Sequence, residues 1–187
     1  MSMITFLIDT IGSLFVMAIL LRFILQLVKA DFYNPISQAI VKVTSPLLNP
    51  LRKLIPGFGG MDIAALVLAF IVQGVFVAIK MKVLGYMTLP LGTISVLTFY
   101  FLLKTLLDLY TFALIIMVIA SWVAPGSYNP GLMLLHQITE PLCSRVRRIL
   151  PPMGGLDFSV MVVMLGIFFL KEHLLPNIIR IGMPGIM

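Results

Sequence analysis

The segment from Asn34 to Asp62 recurs from Asn129 to Asp157 at a constant offset of 95 residues (129 − 34), and each copy lies between two long apolar runs. The paired positions are Tyr33 and Tyr128, Asn34 and Asn129, Pro35 and Pro130, Thr44 and Thr139, Pro46 and Pro141, and Leu47 and Leu142. They continue without a gap through Arg52 and Arg147, Lys53 and Arg148, Pro56 and Pro151, Gly59-Gly60 and Gly154-Gly155, and Asp62 and Asp157. Chance does not hold three prolines, a glycine pair and a basic pair in register, so the chain reads as two copies of one supersecondary unit. The unit is expected to be a hairpin of two membrane helices joined by a structured loop.

With 60% hydrophobic and 11% charged residues over 187 positions, the chain falls outside the composition of a soluble domain and reads as an integral membrane protein. Membrane barrels need strands of alternating polarity, whereas these runs are continuously apolar, so helices remain. Thirteen Lys+Arg stand against seven Asp+Glu, and they cluster beside the apolar runs without a soluble basic domain to present them. The expected partners are therefore membrane lipids with anionic headgroups, not nucleic acid. A membrane-protein partner or a second copy of the chain is also compatible. The single Cys143 cannot form an intramolecular disulfide, and His136 and His173 have no matching partners. Neither a metal site nor a cofactor is expected. No Lys or Arg precedes Arg22, and Asp9 sits where a signal peptide would be most apolar. The first run is thus expected to be retained as a helix.

A span needs roughly 20 residues, because a helix rises about 1.5 Å per residue across a core about 30 Å thick. Four segments qualify: about Asp9 to Val28, Ile63 to about Leu84, about Leu103 to Val123, and Phe158 to about Ile179. Residues 93–102 are apolar too, which allows the third helix to begin early. The resulting organisation is repeat 1 over 1–84, a link over 85–98 with Gly and Pro placed to break a helix, and repeat 2 over 99–187. Lys29, Lys42, Arg52, Lys53, Arg145, Arg147 and Arg148 lie on the two loops, against Lys80, Lys82, Lys171 and Arg180 on the opposite side. The positive-inside rule then predicts cytoplasmic loops, both termini on the opposite side of the membrane, and parallel repeats.

Each loop reads as an amphipathic helix lying in the membrane interface. Asn34-Pro35 and Asn129-Pro130 supply an N-cap and a first-turn proline. Pro46 and Pro141 interrupt both helices at the same place, which predicts two short helices per loop. Pro56 and Pro151 end the second of these, Gly59-Gly60 and Gly154-Gly155 permit a tight turn, and Asp62 and Asp157 are placed to cap the next span. The fold class is therefore all-α, with two parallel repeats, each a membrane helix, a Pro-broken amphipathic helix pair and a second membrane helix.

This pattern is Asn-Pro, Thr-x-Pro-Leu, Arg-(Lys/Arg)-x-x-Pro and Gly-Gly-x-Asp, occurring twice among four apolar spans. It resembles the YggT family of bacterial inner-membrane proteins, which has single-repeat relatives in chloroplasts. The resemblance covers nearly the whole chain. The second copy departs by having Arg145 where the first has Pro50, and Pro152 where the first has Gly57. The resemblance implies roles in osmotic tolerance and potassium homeostasis for bacterial members, and in cytochrome assembly and chloroplast or nucleoid organisation for plastid relatives. It implies no catalytic residue.

Two groups of charged residues stand out. Arg52-Lys53 and Arg147-Arg148 are candidates for binding a lipid or partner, beside their role as topology determinants resting on anionic headgroups. Asp9 and Lys104 are equivalent (104 − 9 = 95), so parallel repeats predict one depth for both and a charge pair joining the first and third helices. Asp108, one turn from Lys104, competes for it. Arg22, about 10 Å inside the loop end, can snorkel and is expected to have a structural role. No nucleophile-base pair or metal set can be assembled, so the chain is not expected to be an enzyme. Two readings remain: a scaffold or assembly factor acting through its basic loops, and a cation (potassium) transporter or channel component using the charged cluster.

Overall fold

The computed structural model describes residues 3–86, 89–123, 126, 128–150 and 157–182. Continuous apolar sequence becomes continuous helix. The elements are α1 (Met3–Leu27), α2 (Pro35–Leu54), α3 (Ile63–Val83), α4 (Leu91–Val123), α5 (Pro130–Arg147), α6 (Ser159–Phe169), a π-helical turn (Leu170–Leu174) and α7 (Leu175–Gly182). Among the described residues there is no strand, and an isolated bridge joins Phe58 to Met61. Four helices are long and apolar enough to cross a membrane: Met3–Leu27, Ile63–Val83, Leu91–Val123 and Ser159–Ile181.

The third of these begins at Leu91, well before the expected start near Leu103. Pro90 is the last helix breaker, and the apolar residues after it simply join the helix. Its 33 residues give a rod about 50 Å long, more than a bilayer core about 30 Å thick requires. The fourth contains the π turn because Pro176 has no N–H to offer the carbonyl of Glu172 and its ring pushes that carbonyl aside. The backbone widens instead, and the Leu175 amide donates to Leu170 O, five residues back.

The expectation that Pro46 and Pro141 split each loop into two helices is corrected. α2 runs unbroken through Pro46 and Pro50, and α5 through Pro141. A proline removes one bond and disturbs the preceding turn, but here that turn is held from outside the ladder. Thr44 Oγ1 donates to Ile40 O at 2.7 Å and Ser45 Oγ to Val41 O at 2.6 Å. Arg22 Nη1 donates to Val41 O at 3.1 Å, Thr44 Oγ1 at 2.7 Å and Ser45 Oγ at 3.1 Å. In α5, Thr139 Oγ1 donates to Leu135 O at 2.8 Å. Arg22 is 4% exposed and ties α1 to α2, the structural role expected of it, with its guanidinium on α2 rather than extended to the interface.

Asn34 and Asn129 cap α2 and α5 through bonds from the amides of Ile36 and Gly131. Gly59 and Gly60 take φ values of +61° and +81° in the turn before α3, a region where a side chain is strained. Pro151, Gly154 and Gly155 lie outside the described residues.

The core forms where small residues let helices approach. Val16, Ile19 and Leu20 of α1 pack on Ala64, Ala65, Leu68 and Ala69 of α3, with Leu48 of α2 closing the cluster. Gly12 lies under the ring of Phe76, where a Cβ would sit 2.8 Å from its nearest carbon. A second cluster joins Ile24, Leu25 and Ala30 to Leu109 and Ala113 of α4 and Leu134 and Ile138 of α5. There the loop helices also meet, as Asn34 Nδ2 donates to Pro130 O at 2.7 Å and Gln137 Oε1 accepts from the Asp31 amide at 3.1 Å. The α4–α6 side differs from α1–α3. Val160 and Met164 stand where α3 has Ala65 and Ala69 (95 residues earlier). Their bulk keeps the helices apart, leaving an open apolar groove of about 870 Å³.

Candidate functional site

The charged side chains gather at two levels of the helix bundle. At the loop level, the eight residues 55–62 reverse the chain so that the end of α2 faces the start of α3, and the end of α5 lies beside the start of α6 through Arg147 and Asp157. Arg52 forms an ion pair with Asp62 through Nη2, supported by Nε at 3.1 Å, and its Nη2 also donates to Gln26 Oε1 at 3.0 Å. Asp62 accepts in addition from the Ala65 amide at 3.2 Å, so it caps α3 and anchors α2 together. The equivalent Arg147 pairs with Asp157 at 3.4 Å and with Glu140, which stands where the first loop has Ser45. Asp157 accepts from the Ser159 amide at 2.9 Å. Hydrogen bonds from Ser159 and the nearby Arg147 cation hold the Asp157 carboxyl below its ordinary pKa. The two ion pairs thus share sequence positions but differ in burial: Asp62 is 3% exposed and Asp157 42%.

The basic pairs are therefore divided in role. Arg52 and Arg147 are engaged by carboxylates of their own loop and helix. Lys53 and Arg148 are exposed and make no ion pair among the described residues, as do Lys42 and Arg145. All seven acidic residues lie within the described part of the chain.

The second level lies at the far end of the apolar helices. Asp9 and Lys104 do not pair with each other, which corrects the sequence reading. Asp9 accepts from Lys80 of α3 at 2.8 Å, and the Lys80 ammonium also lies 5.1 Å from the centroid of the Phe101 ring. Lys104 bonds Asp108 at 2.7 Å, one turn along its own helix, and Asp108 holds Lys171 at 2.6 Å on its other oxygen. Lys171 also donates to Thr111 Oγ1 at 3.2 Å. Equivalence under the 95-residue offset placed Asp9 and Lys104 at one depth but did not choose the partner. A depth count from the loop ends makes Lys80 a second candidate beside Lys104, and the packing of α1 on α3 decides between them. Asp9 lies 18 residues before Leu27, and Lys80 lies 17 residues after Ile63, so both stand about 26 Å from the loops along adjacent helices. Asp9, Lys80, Lys104 and Asp108 nonetheless line one cleft of about 340 Å³ between α1, α3 and α4, with Gln73 in its wall.

Nothing in either level resembles a nucleophile with its base. Cys143 is buried, and burial pushes its thiol pKa up, away from the reactive thiolate. Among the described residues no three His, Cys, Asp or Glu side chains converge as a metal site would require.

These features define a class: an all-helical protein with four helices of membrane length, two amphipathic helices at one end, and a charged cluster at the other. The chain belongs to the CCB3/YggT family, whose sequence profile matches residues 1–81 and 96–178. The two matched segments start 95 residues apart (96 − 1), the offset of the internal repeat. An uncharacterized protein of Pseudomonas aeruginosa is 48% identical over 186 residues, covering 96% of this chain and 92% of the relative. The uncharacterized protein YggT of Escherichia coli K12 is 40% identical over 171 residues, covering 91% and 88%. An uncharacterized protein of Haemophilus influenzae is 36% identical over 168 residues, covering 90% and 89%. No solved structure matches the chain.

Proposed function

We propose that the chain is a non-enzymatic, multi-pass protein of the bacterial inner membrane that acts as a scaffold or assembly factor in osmotic stress and potassium homeostasis. Its working surface is the loop end, where two like-oriented repeats present α2 and α5 to the cytoplasm. The observation that carries this reading is the exposed set Lys42, Lys53, Arg145 and Arg148, four cations without ion pairs among the described residues, on or at the end of two amphipathic helices. Each such cation is worth about 1 kcal/mol against anionic headgroups, and the same charges can dock an acidic partner. The positive-inside rule supports the cytoplasmic assignment.

Transport of potassium through the far cluster is the weaker reading. A cation-conducting site needs carboxylates or carbonyls free to replace hydration, and here lysines already hold Asp9 and Asp108. The two readings separate in cells that lack the chain and are grown after hyperosmotic shock. Wild-type protein and the double variant Asp9→Asn with Lys80→Gln are expected to restore growth, whereas Lys53→Gln with Arg148→Gln is not, at matched protein levels. Restoration by the loop variant together with failure of the Asp9 variant would reverse the assignment.

A further inference from the structure

The cleft between α1, α3 and α4 holds two cations and two anions, Lys80 and Lys104 with Asp9 and Asp108. A simple cation entering it meets two ammonium groups, and a simple anion meets two carboxylates. Like charges brought close together repel strongly. A ligand bearing one charge of each sign meets a complementary partner for both. The residues are also unequally committed. Lys80 is bound by Asp9 and lies against the Phe101 ring. Lys104 is nearly half exposed, and its only anionic partner among the described residues, Asp108, is shared with Lys171. An added oxyanion therefore has a cation to meet at Lys104, while a ligand ammonium shares the 30% exposed Asp9 carboxylate with Lys80, whereas a dehydrated potassium ion needs several oxygens to itself.

A second observation points into the same cavity. Gln73 lines the cleft wall, is 8% exposed, and its amide makes no hydrogen bond among the described residues. The fully buried polar atoms without a partner are elsewhere, so the Gln73 amide opens onto the cleft, where a ligand can supply the hydrogen bonds that the protein does not. Gln73 stands seven residues before Lys80 on α3, about 10 Å deeper than the charged mouth. Ser13 and Thr105 flank the path between them. A volume of about 340 Å³ is at the small end of the range for ligand cavities.

We propose that this cleft binds a small zwitterion carrying an ammonium and a phosphate-type oxyanion at the Asp9–Lys104 mouth, with a neutral hydroxyl or ester oxygen reaching the Gln73 amide. The chemistry is shared by an aminophospholipid headgroup in the leaflet away from the loops and by a free solute of the same kind.

The test uses the purified full chain. Glycerophosphoethanolamine is titrated calorimetrically, against glycerol phosphate and ethanolamine as single-charge probes, and phosphatidylethanolamine retention in nanodiscs is compared with phosphatidylglycerol retention by native mass spectrometry. The zwitterion, free or as lipid, is expected to bind at least about tenfold better than the single-charge probes, the factor corresponding to one charge-assisted hydrogen bond. Binding of the free probe identifies a solute site, and retention of the lipid alone identifies a headgroup site. Gln73→Leu and Lys104→Gln are each expected to weaken binding by about tenfold. Gln73→Leu should leave the ligand-free melting temperature unchanged or raised, which separates lost binding from misfolding. The proposal is overturned if neither form binds, if glycerol phosphate or ethanolamine binds as well, or if Gln73→Leu binds like wild type.

Discussion

Replacing Asp62 with Ala is expected to lower the unfolding free energy in detergent by about 3 kcal/mol, against about 1 kcal/mol for Asp157→Ala. The two aspartates occupy equivalent positions, so sequence alone predicts equal effects. Burial separates them. Asp62 is 3% exposed and both caps α3 and holds Arg52. Its removal deletes a cap worth about 1 kcal/mol and leaves Arg52 with Gln26 as its remaining partner. Asp157 is 42% exposed and 3.4 Å from Arg147, which keeps Glu140 as a second carboxylate. Water replaces most of what it loses. Asp62→Asn should fall between wild type and Asp62→Ala, because the amide oxygen can still cap while the charge is gone. Equal losses for Asp62→Ala and Asp157→Ala would show that the ion pairs contribute alike despite their burial.

A comparable loss is expected from Arg22→Ala, about 2–4 kcal/mol, through the cavity left by a buried side chain and the loss of three hydrogen bonds that tie α1 to the turn before Pro46. The effect should be local as well as global. With Val41 O, Thr44 and Ser45 no longer held by the guanidinium, amide exchange over residues 40–45 should accelerate more than over α3. Arg22→Met separates the two contributions, since Met117 is the equivalent residue of the second repeat and restores volume without hydrogen bonds. It is expected to recover part of the global stability but none of the local protection. If Arg22→Ala leaves exchange in α2 unchanged, proline tolerance in that helix has another origin.

The four membrane-length helices and the family were legible in the sequence because hydropathy and motif spacing are local properties. Charge pairing was not. The offset made Asp9 and Lys104 equivalent, yet each hairpin brings its own two helices together first, and Lys80 reaches Asp9 from the adjacent α3. The second repeat substitutes Asp108 with Lys171, 95 residues after Ser13 and Phe76, so its carboxylate–ammonium pair sits one turn nearer the loops. Pro46 misled for a related reason. Its cost is fixed by the backbone, but the Arg22 contact that steadies the preceding turn comes from 24 residues earlier (46 − 22), beyond any local pattern. Lys53 and Arg148 could be distinguished from Arg52 and Arg147 only once Asp62 and Asp157 were seen to face the latter.

The account depends most on both amphipathic helices facing the cytoplasm. In a Cys143→Ser background, single cysteines are introduced as Asn49→Cys, Arg145→Cys and Met3→Cys, all at exposed positions, and spheroplasts are treated with a membrane-impermeant maleimide. The Met3→Cys protein is expected to label in intact spheroplasts, while the Asn49→Cys and Arg145→Cys proteins label only after the membrane is opened. Labelling of either loop position in intact spheroplasts would contradict the cytoplasmic placement of the amphipathic helices and the function drawn from it.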